Sequence, residues 1–201
     1  EFEFAYYALI SIVYSIAFVT IMPFINIYTQ GITDINYSQP IVGFLFVLNG
    51  LLYNIKTPQG MLVISAGLFK ETKVQTTVQG GIMLVLGALL APNYGIIGVL
   101  VASIISNLYR DIDLMFFIPK NLTRLSVKTT FARIVRILSS IILVGLPFFF
   151  IELSPSRYFE WILNAIVVSL YSVIVVASTN LIFEKIILKN TINRILGMVS
   201  R

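Results

Sequence analysis

Residues 74–109 read VQTTVQGGIMLVLGALLAPNYGIIGVLVASIISNLY, a run without Asp, Glu, Lys or Arg. An apolar stretch of about 18 or more residues is long enough to cross a bilayer as a helix. This run is too long for one crossing, and Pro92-Asn93-Tyr94-Gly95 interrupts it near its middle. Because Pro and Gly both oppose helix continuation, the stretch predicts two membrane-spanning helices joined by a tight turn.

The rest of the chain has the same character. Of its 201 residues, 58% are hydrophobic and 11% are charged, and the mean hydropathy is +0.93. Soluble domains carry about 25% charged residues, so this chain lacks the charge to cover a water-facing surface. Further runs without a charged residue lie at 4–33, 35–55 and 161–183. We therefore predict an all-α fold, a polytopic transmembrane helical bundle.

Six spans are predicted in this bundle, separated by charged or turn-forming segments. They cover about 4–28, 40–69, 74–91, 96–118, 131–151 and 161–183, and a tail covers 184–201. Lys56 and Pro58 interrupt the second span, and Pro58 is the expected site of a helix kink. The tail is either a solvated end or an amphipathic helix on the inner leaflet.

Lysine and arginine are distributed unevenly along these segments. The connections after the second and fourth spans and the tail hold eleven of the fourteen, whereas the opposite loops hold one, Arg157. The eleven are Lys70, Lys73, Lys120, Arg124, Lys128, Arg133, Arg136, Lys185, Lys189, Arg194 and Arg201. Because basic residues favour the cytoplasmic side, we predict a multi-pass protein of the cell membrane with both ends of this segment in the cytoplasm. The net charge of +5 follows this topology and does not indicate nucleic acid as a partner.

Composition also narrows the chemistry. The chain contains no Cys and no His, so it lacks the thiolate of zinc sites and the commonest general base and metal ligand. We expect no metal, no cofactor and no enzymatic activity. The sequence starts at Glu1 rather than Met, and we interpret it as part of a longer protein.

Two basic residues, Lys56 and Arg110, lie inside predicted spans. Lys56 comes sixteen residues after Pro40 and Arg110 fifteen after Gly95, which corresponds to roughly 24 and 22 Å along a helix. Both therefore reach a similar depth, at or past the midplane on the cytoplasmic side. A cation at the centre of a span costs roughly 2.5–3.5 kcal/mol to insert, and such residues usually face a bundle interior or a watery cavity.

The neighbours of both cations favour a cavity. Polar side chains recur three or four residues apart on each helix and so share one helical face. These are Asn49, Tyr53, Lys56 and Gln59 on one span, and Ser103, Asn107, Arg110 and Asp113 on the other. The alternative for Lys56 is that it snorkels to the cytoplasmic interface, although no acid lies within fourteen residues of it in the sequence. The alternative for Arg110 is a structural ion pair with Asp111 or Asp113.

Several segments together resemble one family of bacterial membrane proteins. They are Pro23-Phe24, the loop from Tyr28 to Tyr37, Lys56-Thr57-Pro58 followed by Ala66-Gly67-Leu68-Phe69-Lys70-Glu71-Thr72, and Gly95-Ile96-Ile97-Gly98-Val99 through Leu108-Tyr109-Arg110. In this order they resemble the polysaccharide transporters, lipid-linked oligosaccharide flippases of the multidrug/oligosaccharidyl-lipid/polysaccharide exporter superfamily. The resemblance covers about residues 20–120. Where the family usually has Arg, this chain has Lys56, which keeps the charge but lacks the planar fork of a guanidinium.

The resemblance implies a two-lobe exporter-type fold of about twelve to fourteen helices around a central cavity, of which this chain is the last six. It implies transport of an oligosaccharide on an undecaprenyl pyrophosphate anchor, with membrane lipids and the missing N-terminal lobe as further partners. One alternative is a cation-coupled multidrug exporter of the same superfamily, which is expected to place acids deep in its cavity. Another is a lipid-modifying membrane enzyme, for which only Asp111 and Asp113 are available as acids near the headgroups.

Overall fold

The computed structural model describes residues 2–124, 126–151, 153–190 and 193. Within these ranges the secondary structure is helical and no strand occurs, which confirms the all-α prediction. The helices are α1 (Phe2–Tyr28), α2 (Pro40–Ile55), α3 (Thr57–Ser65), α4 (Phe69–Ile118), α5 (Val127–Gly145) and α6 (Tyr158–Phe183). A short π-helical turn, Pro119–Thr123, follows α4, and a 3₁₀ turn, Leu146–Phe149, follows α5.

Five helical stretches among the described residues are long and apolar enough to cross a membrane. They are Phe2–Tyr28, Pro40–Ser65, Phe69–Thr123, Val127–Phe149 and Tyr158–Phe183. Several such stretches in one chain are typical of a multi-pass membrane protein. By its contacts the chain forms two compact units, one of Gln39–Ala132 and the other of the segments before and after it.

The longest helix, α4, reverses direction at Gly95. This residue has a φ of 56° and a ψ of −133°, a conformation that only glycine adopts at low cost. Beyond it the chain folds back along the first half of the helix. The Ser106 hydroxyl donates a hydrogen bond to the Gln79 carbonyl at 2.8 Å across the two halves. The two halves of α4, 69–94 and 96–118, thus form an antiparallel hairpin at the turn that the sequence predicts.

The halves of this hairpin approach closely at Gly98. A Cβ placed on Gly98 would lie 2.5 Å from the carbonyl oxygen of Leu90, so no larger side chain fits without a backbone shift. Ala102 and Ser106 continue the same face of the helix and are buried. This row of small residues, spaced by four, lets the helices pack at short range.

The second predicted span is divided into α2 and α3 and ends before residue 69. Lys56 lies between the two helices, two residues before Pro58, whose nitrogen carries no hydrogen to donate to the preceding turn. The span ends at Ser65 because Gly67 adopts a φ of 69°. The Leu68 amide then donates to the Val63 carbonyl at 3.0 Å, the bond that closes a glycine-terminated helix.

In the unit Gln39–Ala132, α2 and α3 run parallel to the second half of α4. The order of the contacts gives this direction. Asn49 contacts Ser103, and Lys56, which comes later in the chain, contacts Asn107, which also comes later. Farther along, Val63 packs with Leu114 and Ile118 in a buried apolar cluster. This register brings Lys56 to the level of residues 107–110, in agreement with the similar depths counted from the sequence.

The other unit contains α1, α6 and the part of α5 from Arg133 onward, with α6 antiparallel to α1. At one end, the Trp161 indole donates to the Thr20 carbonyl at 3.1 Å, and the Phe24 ring lies 5.1 Å from the Trp161 ring. Tyr158 also contacts Phe24. Such aromatic groups are enriched at the boundary between membrane and water.

At the opposite end of this unit, two buried arginines pair with two glutamates. The Arg133 guanidinium lies 2.8 Å from Glu3 and 3.0 Å from Glu184, and Arg136 lies 2.5 Å from the second oxygen of Glu184. Burial raises the pKa of the Glu184 carboxyl, but the hydrogen bonds and charges of Arg133 and Arg136 outweigh it and hold this pKa below its usual range. Glu184 is therefore ionised at neutral pH. As the first residue after α6, it ties the end of that helix to α5.

This pairing changes the interpretation of the tail that the sequence places at 184–201. Its first residue, Glu184, is not solvated but held by Arg133 and Arg136, and residues 185–190 are helical. The rest of the tail, including Arg194 and Arg201, lies outside the described residues apart from residue 193.

Candidate substrate-binding groove

Two adjoining open cavities lie in the unit Gln39–Ala132. Their volumes are about 460 and about 580 Å³, within the roughly 300–1,000 Å³ of small-molecule sites. Both are lined by Tyr53, Thr76 and Gln79, and we refer to them together as the groove. Its walls come from α2, α3 and both halves of α4. The described residues that line it include two formally charged side chains, Lys56 and Arg110, and no acid.

Lys56 lies at the break between α2 and α3, where its half-buried side chain projects into the groove. Its ammonium donates a hydrogen bond to the Asn107 side-chain oxygen and lies 4.9 Å from the centre of the Tyr53 ring. The face of an aromatic ring attracts a cation. An ammonium has three donors, so these contacts leave it able to bind an anion in the groove.

A network of side-chain amides continues from Lys56 along the groove wall. The Asn107 amide nitrogen donates to the Asn49 oxygen at 2.9 Å, and the Ser103 hydroxyl donates to the same oxygen at 2.7 Å. From the first half of α4, the Gln79 amide donates to the Asn107 oxygen at 3.4 Å. The network connects α2 with both halves of α4 and presents amides and hydroxyls to the groove.

Arg110 lines the groove and is also paired. Its guanidinium lies 2.6 Å from Asp113, one turn farther along α4, and its side chain is 9% exposed. Of the two acids that the sequence offers as partners, the structure thus pairs Arg110 with Asp113. Four of its five donors do not take part in this bond. Arg110 can therefore pair with Asp113 and still donate hydrogen bonds to a ligand in the groove.

Asp111 is the buried acid of this region. It is 7% exposed, and neither of its carboxylate oxygens has a hydrogen-bond partner among the described residues. It interacts electrostatically with Lys56 and is not among the residues that line the groove. No acid lies within fourteen residues of Lys56 in the sequence, but the fold brings Asp111 near it.

Five of the six residues that the sequence proposes for substrate binding line the groove: Lys56, Arg110, Asn49, Tyr53 and Asn107. The sixth, Gln59, is 4% exposed and is not among the lining residues. Lys56 keeps a helical φ of −77° and ψ of −11°, and the lining face continues past it at the same spacing, through Thr57, Gly60 and Met61. Gln59 is three residues after Lys56 but lies beside that face and not on it.

The sequence interpretation missed the wall contributed by the first half of α4. Thr72, Thr76 and Gln79 line the groove there. They are separated by four and three residues, the spacing of one helical face. This spacing is the signal that the sequence offers for the wall, although Gln75 and Thr77, on other faces of the same helix, are polar as well.

The fold and the groove define a multi-pass membrane protein with a cationic, amide-lined cavity. Compared with known proteins, the chain matches no protein-family model, no curated protein and no solved structure.

Proposed function

We propose that this chain belongs to a transporter that moves an oligosaccharide on an undecaprenyl pyrophosphate anchor across the bacterial inner membrane, for surface polysaccharide such as O-antigen or capsule. The observation that carries the proposal is the charge of the groove. Its charged lining residues within the described part of the chain, Lys56 and Arg110, are both cations. A pyrophosphate that crosses roughly 30 Å of hydrocarbon needs such cations inside the membrane.

The uncharged part of the groove suits the sugar end of such a cargo. Asn49, Gln79 and Ser103 supply amides and a hydroxyl that can exchange hydrogen bonds with sugar hydroxyls. Tyr53 is 61% exposed and borders both cavities, so its ring offers an apolar face beside them. Polar groups placed around such a surface set the orientation of a bound ligand.

The helix directions agree with the proposed orientation in the membrane. With α4 counted as two crossings, the chain makes six passages, and the start of α1, the start of α5 and the end of α6 meet at the cluster of Glu3, Arg133 and Glu184. This is the arrangement expected when α1 and α5 cross outward and α6 returns. Together with a second lobe, such a bundle would open the groove to one side of the membrane at a time.

The orientation is testable with topology reporters. A reporter inserted near Arg124 should be cytoplasmic, since this connection is rich in lysine and arginine. Reporters near Asp34 or Asn93 should be periplasmic. Alkaline phosphatase, which is active only outside the cytoplasm, and a fluorescent protein that matures only inside provide complementary signals at each position. Periplasmic activity near Arg124 would overturn the assignment of every span.

The related alternative, a cation-coupled multidrug exporter, predicts acids that face the cargo. The described lining of the groove contains none, and Asp111 is buried outside it. The charge of the groove therefore favours an anionic cargo. A lipid-modifying enzyme would require an accessible acid, whereas Asp113 is held by Arg110.

Binding of the lipid tests the proposed cargo directly. The protein is reconstituted in phosphatidylcholine nanodiscs and titrated with undecaprenyl pyrophosphate and with the uncharged alcohol undecaprenol. We expect the pyrophosphate to bind at least about tenfold more tightly, which is about 1.4 kcal/mol, because it pairs with Lys56. Inorganic pyrophosphate should compete for the same site. Equal affinity for the alcohol would exclude charge recognition and with it this function.

A further inference from the structure

We propose that Asp111 is a proton-binding site whose occupancy is linked to anion binding at Lys56. In this scheme the Lys56 ammonium is the counter-ion of an ionised Asp111, and Asp111 becomes a neutral acid when a bound anion holds that ammonium. The proposal rests on the proposed function for the anion that Lys56 binds. It adds a proton to the binding reaction of the same groove.

The surroundings of Asp111 provide the first argument. Asp111 is 7% exposed and shares a helical face with Leu114 and Ile118, which pack against Val63. Neither carboxylate oxygen has a hydrogen-bond partner in the described part of the chain. An ionised carboxylate in such a place loses its hydration without compensation, and taking up a proton removes that cost.

The charged neighbours provide the second argument. Arg110, the adjacent cation on the same helix, donates to Asp113 at 2.6 Å and makes no hydrogen bond to Asp111. The charged residues at the start of α4, Lys70, Glu71 and Lys73, are exposed, and α3 carries none. Lys56 is the cation whose charge acts on Asp111, and its ammonium donates to Asn107, one turn before Asp111 on the same helix.

One cation with two acceptors links the two events. When an anion binds the Lys56 ammonium, Asp111 loses its counter-ion and takes up one proton from the buffered solution. When the anion leaves, Asp111 returns that proton to water and its carboxylate pairs with Lys56. Each anion bound is therefore accompanied by one proton taken up. By reciprocity, lower pH strengthens anion binding, by at most about tenfold per pH unit.

Calorimetry of inorganic pyrophosphate binding measures the linked proton. Titrations in buffers that differ in ionisation enthalpy give the number of protons taken up per anion. The comparison with Asp111→Asn, which keeps the shape of the side chain, removes the titration of pyrophosphate itself. We expect the wild-type protein to take up about one proton more than Asp111→Asn, and Asp34→Asn, a change at an exposed acid, to match the wild type. Equal proton uptake in Asp111→Asn and the wild type would overturn the proposal.

Infrared spectroscopy decides the same point without any anion. The carboxylic acid band of Asp111 is identified by its loss in Asp111→Asn, and in Lys56→Gln it should persist to higher pH because the counter-ion is gone. If the Asp111 band responds to Lys56→Gln but the protein does not bind pyrophosphate, the proton site is retained and anion binding by the groove is refuted. Pyrophosphate binding with no response of the band, or binding that follows sodium instead of pH, would refute the proton site and leave the proposed function intact.

Discussion

Replacing Lys56 with Gln is expected to abolish export of surface polysaccharide while the protein remains in the membrane at normal abundance. Glutamine can still donate a hydrogen bond to Asn107, as Lys56 does, so the contact between α2 and α4 is kept. The change removes the positive charge that faces the groove. Because the loss of a buried cation lowers the insertion cost by roughly 2.5–3.5 kcal/mol at most, membrane insertion should not suffer.

Two further substitutions separate charge from shape at the same position. Lys56→Arg should retain export, since the cation remains and the open groove has room for the larger guanidinium. Lys56→Glu should abolish export, because it turns attraction for a pyrophosphate into repulsion. Export by Lys56→Arg above the wild-type rate would show that a bidentate contact from a guanidinium improves transport.

The assay is surface polysaccharide in cells that lack the native transporter, with membrane abundance measured in parallel. Lys73→Gln is the matched control, because it removes the same charge from an exposed position of α4 outside the groove. It should export at the wild-type rate. Wild-type export by Lys56→Gln would show that Lys56 snorkels at the interface and takes no part in transport.

The features of the fold that were predictable from the sequence are the local ones. The uncharged runs place the helices, and Pro92 to Gly95 place the reversal of α4, because hydropathy and backbone restriction act over a few residues. The end of α3 at Ser65 was missed, although the glycine that causes it, Gly67, is also local. Residues 66–69, Ala-Gly-Leu-Phe, continue the apolar run, so hydropathy alone places the end of the span after them.

The candidate site was predictable where its residues share one helical face. The stripe of Ser103, Asn107 and Arg110 holds because α4 is continuous there. Gln59 is three residues after Lys56 but lies off the face that Tyr53, Thr57 and Gly60 share, so it does not line the groove. The proximity of Asp111 to Lys56 depends on the packing of α2 and α3 against α4, and distance in the sequence carries no information about it.

The burial of Arg110 predicts that its loss reduces stability. Arg110→Ala leaves Asp113 without its partner at a position where that carboxylate is only 20% exposed. Removing one member of a buried ion pair costs about 3–5 kcal/mol. We therefore expect Arg110→Ala to lower the amount of protein in the membrane, measured by immunoblotting and by thermal unfolding in detergent. Arg157→Ala, at an exposed position before α6, should leave stability unchanged, and wild-type abundance of Arg110→Ala would refute the structural role of the pair.

The double variant Arg110→Ala with Asp113→Ala then determines whether Arg110 also serves the cargo. Removing both charges removes the unpaired carboxylate, so abundance should return toward the wild-type level. If Arg110 faces the pyrophosphate with its remaining donors, export stays low although the protein is present. If export returns together with abundance, the pair is purely structural, and Lys56 is the cation that binds the anion. We expect export to stay low, because Arg110 lines the same cavity as Lys56, and two cations balance the charge of a pyrophosphate better than one.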